Sequence, residues 1–125
     1  MSFFKVKLRK TDRLWTKHIR TRDKYTCQKC EKTYPTESCR NLGVSHYWGR
    51  GRENTRFDED NCIALCTLPC HQNWGGEGRQ EYTDFMKQRL GEKGFADLEL
   101  RAHMRKKRDD ITDELYIKEL LGGEQ

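Results

Sequence analysis

The chain has 125 residues, 34% of them hydrophobic and 36% charged, with a formal charge of +5 at neutral pH. That length holds one small domain, and so lean an apolar share implies a small core that gains from a cross-link such as a bound metal. No apolar run approaches the roughly 20 residues that span a bilayer, and the opening MSFFKVKLRK has no secretory h-region, which argues against membrane and exported classes and for a cytoplasmic protein.

In chain order, residues 1–10 read as a short basic, partly apolar arm. A helix is expected from Thr11 or Asp12, either of which can cap it, to about Asp23, with Leu14, Trp15, His18 and Ile19 at helical spacing. Lys24 to Glu37 carries CQKC and a Tyr34-Pro35 turn signal, the form of a metal knuckle. A short strand follows, with Leu42, Val44, His46 and Trp48 alternating against Gly43, Ser45 and Tyr47. GRGRENT reads as a glycine-punctuated loop, FDEDNCIAL as a turn and second strand, and CTLPCHQNW as the start of a helix. Beyond Gly78 the chain reads as helices: Glu81 to Leu90, a break at Gly91 and Gly94, Phe95 to about Lys107, a charged turn KKRDD, and a last helix bearing Leu115, Ile117, Leu120 and Leu121.

The thiols are the firmest chemical signal. Six cysteines in a reducing compartment are expected as free thiols or ligands rather than disulfides. Cys27 and Cys30 form one close pair, and Cys66 and Cys70 (CTLPC) a second. Two such pairs a few tens of residues apart have the spacing of a tetrahedral four-thiolate zinc site, leaving Cys39 and Cys62 as small buried side chains.

Between and beside the pairs, the stretch SHYWGRGRENTRFDEDNCIALCTLPCH gathers His46, Asn61 and His71 with Arg50, Arg52 and Arg56. A strand histidine, a glycine-rich turn, Asp-Asn before an apolar run and then L-C-x-x-x-C-H, preceded by LWTKHIRTRDKYTCQKC, resemble the HNH or ββα-metal endonucleases over about residues 12–75. Within that family the stretch is most similar to the phage recombination nucleases of the NinG/Rap type.

The resemblance implies an α+β fold: a zinc-bound ββα-metal core (HNH, His-Me finger) over residues 11–78, with an N-terminal helix and a helical C-terminal extension, 79–125, packed on it. It implies a divalent-metal-dependent DNA endonuclease leaving 5′-phosphate and 3′-hydroxyl ends, phage or prophage-encoded, acting on branched recombination or replication intermediates. Its partners are then DNA and phage or host recombination and replication proteins; the apolar stripes suit a monomer or a homodimer equally.

In-line hydrolysis needs a base for the water, a cation on the phosphate and help for the leaving oxygen. His46 is the expected base, Asn61 the residue that holds the loop and orients it, and His71 the ligand of a catalytic Mg²⁺ or Mn²⁺. Many relatives of the family carry Asp, Glu or His immediately before the base; here it is Ser45, so Ser45 and Asp58 or Asp60 are the candidates to complete the shell with waters and phosphate. Arg56 is expected to steady the transition state, and Arg50, Arg52 and Trp48 to contact the substrate, although scattered arginines commonly form a solvated face and tryptophans commonly pack in a core. The alternative is a non-catalytic zinc-ribbon DNA-binding module, in which Ser45 records lost catalysis.

Overall fold

The computed structural model describes residues 8–106 and 109–122. Most of the expected N-terminal arm, residues 1–7, and part of the charged turn, residues 107–108, lie outside them.

Helix α1 (Lys10–Arg22) starts slightly earlier than its sequence signals suggest: Arg9 holds the cap position, and Asp12 reaches back to accept the Arg9 N–H at 2.7 Å. Asp12 therefore serves the first turn from inside the helix, where a carboxylate also meets the positive end of the dipole. Trp15, His18 and Ile19 form the buried stripe. After Asp23 the chain reverses through Lys24 and Tyr25, both in the left-handed region with φ of 55° and 54°. An isolated bridge pairs Thr26 with Thr33, closing the loop that carries Cys27 and Cys30.

A turn at Thr36–Ser38 leads into β1 (Leu42–His46), which pairs antiparallel with β2 (Cys62–Cys66) so that Leu42 faces Cys66 and His46 faces Cys62. All five residues of β2 are buried, because both faces of this small sheet are covered. On one face Trp15 of α1 donates its indole N–H to Cys62 Sγ at 3.2 Å. On the other, Ser45 meets the Tyr82 hydroxyl at 2.8 Å and Tyr47 meets that of Thr83 at 2.7 Å. The period-two pattern therefore sorts His46 from Ser45 and Tyr47.

The segment expected to be only loop contains one helical turn, α2 (Glu53–Arg56), and a 3-10 turn at Glu59–Asn61. The latter is capped by Asp58, whose side chain accepts the Asp60 N–H. After β2 comes α3 (Pro69–Gly75), started by a proline at a position where the missing N–H costs nothing. The architecture is thus mixed α+β, with the two strands separated by α2 and the 3-10 turn and followed by α3.

Helix α4 (Arg79–Ala102) is interrupted at Gly91, where φ of 78° is open to glycine and strained for other residues. Gly94, expected to share that break, stays helical. Helix α5 (Asp110–Gly122) returns to α1. Of its expected stripe only Ile117 is fully buried, and Leu115 is 65% exposed; with α1 as its main neighbour, the helix has a narrow face to bury. Tyr82, Met86, Leu98 and Ile117 join Trp15, Leu42 and Ile63 in one hydrophobic cluster, so the C-terminal helices complete the core that the short sheet begins. Among the described residues no helix is long and apolar enough to cross a membrane.

Candidate metal centre and adjoining cleft

The sulfurs of Cys27, Cys30, Cys66 and Cys70 lie within 4.8 Å of one another. A tetrahedral ion with metal–sulfur bonds of about 2.3 Å sets its ligands about 3.8 Å apart, and Cys30 and Cys66 are already 3.5 Å apart. No disulfide consumes these thiols. The four cysteines can therefore hold a metal ion.

Local backbone geometry prepares the site. Cys27 Sγ accepts the N–H groups of Cys30 at 3.5 Å and Cys66 at 3.3 Å, and the Tyr34 hydroxyl donates to Cys66 Sγ at 3.1 Å. Burial works to raise Cys27, but those N–H groups outweigh it and bring the thiol down to about 7. Burial, and then the adjoining Cys27 and Cys30, push Cys70 up to about 12. Four sulfurs this close ionise together only when a cation offsets their mutual repulsion. Cys39 and Cys62 stand outside the group: Cys39 Sγ donates to the Thr36 carbonyl, and burial pushes Cys62 up to about 12 beside Trp15.

His46, at the end of β1, directs Nε2 at the Arg56 carbonyl oxygen, 2.9 Å away. A carbonyl only accepts, so Nε2 carries the proton and Nδ1 keeps its lone pair. Burial, and then Arg50, lower His46 to about 4, so the ring is neutral at pH 7. Asn61 clamps the loop that delivers this carbonyl. Wholly buried, it accepts the Trp48 N–H at 2.8 Å and donates to the carbonyls of Trp48 and Thr55, each at 2.9 Å. It bonds the backbone on both sides of the loop, and through Thr55 steadies the residue next to Arg56.

The Arg56 side chain turns inward. It is 5% exposed and closes on Asp12, with Nε 2.9 Å from Oδ1. Arg50 lies 3.5 Å from the same carboxylate. Burial alone raises an acid, but the bonds from Arg56 and the Arg9 N–H outweigh it and hold Asp12 below the usual carboxylate range. Arg56 thus serves as the fixed counter-ion of Asp12, and its carbonyl, rather than its guanidinium, meets the candidate base.

Arg50 and His71 line a cleft of about 280 Å³ between α1, the sheet and the start of α3. Desolvation by the surrounding protein, and then Arg50, lower His71 as well, so both histidines lie in the field of one guanidinium. The other expected cation ligands do not join His71. Ser45 is turned to the α4 face and bonded to Tyr82. Asp60 accepts from Arg101 at 3.1 Å, which also grips Asp58, and both carboxylates line a separate cleft with Tyr116. Among the described residues, the four cysteines are the only group of three or more Cys, His, Asp or Glu side chains gathered for a metal. Trp48 packs edge-on against Tyr47 and His103, and the Arg52 guanidinium lies 5.4 Å from its ring centre. These two form a packed cluster beside the α4 terminus.

Asp12 is the cleft residue that sequence reading passes over as a helix cap. It lies one turn before Trp15 on the buried stripe, and an acid in that position must be paired. Comparison with family models, with curated proteins and with solved structures finds no match for this chain.

Proposed function

We propose that this protein is a divalent-metal-dependent DNA endonuclease stabilised by a structural zinc ion on Cys27, Cys30, Cys66 and Cys70. The donor set supports the metal assignment, since four thiolates in tetrahedral reach suit zinc. The observation that carries the enzymatic reading is the 2.9 Å bond from His46 Nε2 to the Arg56 carbonyl. It fixes the tautomer with Nδ1 free, and a neutral imidazole with one free nitrogen is a general base.

In this reading Nδ1 of His46 takes a proton from the attacking water as the water oxygen bonds to phosphorus. The P–O3′ bond breaks, and the leaving oxygen is protonated by solvent to give a 3′-hydroxyl and a 5′-phosphate. Arg50 offsets the phosphate charge, Asn61 holds the loop, and Arg56 and Asp12 position the carbonyl that orients the base. A divalent cation, Mg²⁺ or Mn²⁺, supplies charge neutralisation at the phosphate when bound. His71 would be its one protein ligand, because Ser45 and Asp60 are engaged elsewhere and the residues present form no cage of their own; phosphate and water would have to complete the shell.

That thin shell also favours the second reading, a zinc-ribbon DNA-binding module without catalysis. Incubating plasmid and a synthetic four-way junction with the zinc-loaded protein and Mg²⁺ or Mn²⁺ separates the two. Nicking that disappears in His46→Ala supports the enzyme. Binding without scission in either metal supports the module.

A further inference from the structure

The cleft beside His71 has an unequal charge balance. Its walls carry Arg13 and Arg20 from α1 and Arg50 from the loop after β1, against one carboxylate, Asp12. That carboxylate is occupied from behind by Arg56, so the guanidinium groups of the cleft exceed the anions available to them. Positive charge along the walls of a cleft attracts an anion more strongly than the same charge spread over an open surface.

The arrangement is linear as well as positive. Arg13, Thr16 and Arg20 follow one another at intervals of three and four, hence on one side of α1. From Arg13 to Arg20 is about 10 Å at 1.5 Å per residue, the axial rise of about three nucleotides along a DNA strand. Across the cleft, Gly43 lines the wall without a side chain; a Cβ there would make only ordinary contact with Thr67 Oγ1, at 3.4 Å, so the backbone does not itself require glycine at this position. Glycine inside a strand commonly marks the close approach of another chain. Arg20 is already oriented, its Nε donating to the Leu42 carbonyl at 2.8 Å, whereas Arg13 is exposed to solvent at the edge.

We infer that the Arg13–Thr16–Arg20 face of α1, with Arg50, is a phosphate rail that binds one DNA strand and leads its backbone past Gly43 to His71. This rests on the endonuclease reading for what happens at the end of the rail, but not for the binding itself. Phosphate contacts of this type set register and affinity without reading sequence.

The test is fluorescence anisotropy of a labelled single strand and the corresponding duplex with full-length, zinc-loaded protein, without Mg²⁺ or Mn²⁺, across a salt series. Arg13→Glu, at an exposed position, is expected to weaken binding roughly three- to tenfold and to lower the slope of log affinity against log salt by about 1. Arg20→Gln is expected to act in the same direction. Arg105→Glu, in the other basic cleft beside Arg52 and His103, is expected to leave affinity and slope close to wild type. Retained zinc in each variant verifies the fold. Unchanged affinity and slope in both α1 variants, a loss confined to Arg105→Glu, or no DNA binding by the wild type overturns the rail. A protein that needs α1 to bind but cuts nothing in any divalent metal keeps the rail and sinks the hydrolase. Nicking by α1 variants of undiminished affinity does the reverse.

Discussion

At the sulfur centre the chain itself brings four donors within 4.8 Å. In the neighbouring cleft only His71 of the three side chains expected around a catalytic cation faces the right space, with Ser45 closed on Tyr82 and Asp60 on Arg101. The difference follows from what each place does in the proposed mechanism. An ion that holds a fold together needs its ligands complete before any substrate arrives, and an ion that assists turnover needs positions left for water and phosphate. The two regions are held in different ways: the four sulfurs are placed where one metal ion could neutralise them, whereas His46 and Asn61 are fixed by hydrogen bonds to backbone carbonyls.

The largest expected effect tests the first half of that contrast. Cys66→Ser or Cys70→Ser, or a strong chelator on the wild type, removes a metal whose binding in small zinc domains is worth about 10–16 kcal/mol, and circular dichroism should report loss of the fold. Stripping Mg²⁺ or Mn²⁺ should leave the same spectrum unchanged. A chelated chain that keeps its structure would make the sulfur group dispensable.

His46→Ala should act mainly on rate, lowering nicking by about 10²- to 10⁴-fold, while the Arg56 carbonyl left without its donor costs about 1–3 kcal/mol of stability. Asp12→Asn is expected to fall between the two regions. It leaves Arg56 buried without its carboxylate, at a cost of about 3–5 kcal/mol in urea unfolding, and lowers nicking by loosening the carbonyl that orients His46. Full nicking in a folded Asp12→Asn protein would separate the ion pair from the base.

His46, which does not itself line the cleft, carries a pH signature of its own. Its pKa in the folded chain, about 4, is below the ordinary 6.5, so the unfolded chain takes up the proton first. The stability that goes with the neutral ring is whole above 6.5 and is lost as pH falls towards 4. An NMR titration should find the His46 ring protons moving near pH 4; a midpoint near 6.5 would mean the ring is far better solvated. The smallest effect is expected from Ser45→Ala, which strands the buried Tyr82 hydroxyl for about 1–2 kcal/mol. Nicking should keep its dependence on Mg²⁺ concentration, and a shift to higher Mg²⁺ would return Ser45 to the list of ligands.

What could be read from the sequence was what neighbours along the chain determine. The cysteine pairs announced themselves by spacing, α1 by its stripe and β1 by alternation, since each signal is contained within a few residues. The fates of Ser45, Asp60 and Arg56 were decided by Tyr82, Arg101 and Asp12, some forty residues away in each case, and no local pattern encodes such a partner. Arg56 shows the limit most plainly: an arginine in a glycine-rich loop looks free to meet phosphate, and only the fold shows that an acid on α1 has claimed it. The one-turn helix at Glu53–Arg56 was hidden for a related reason, being too short to show a period.

Cys30 and Cys66 meet across a separation of 36 residues, and His46, Arg50, Arg56 and Asn61 all lie between them. In polymer terms an ion at this point ties a knot-free ring whose closure alone removes about 4 kcal/mol of entropy from the loose chain, by the relation used for disulfides. Unlike a disulfide, the tie opens by ligand exchange. Whatever competes for those sulfurs, a chelating peptide or an oxidant, therefore releases every residue of the ring at one stroke and converts an ordered cleft into a slack string.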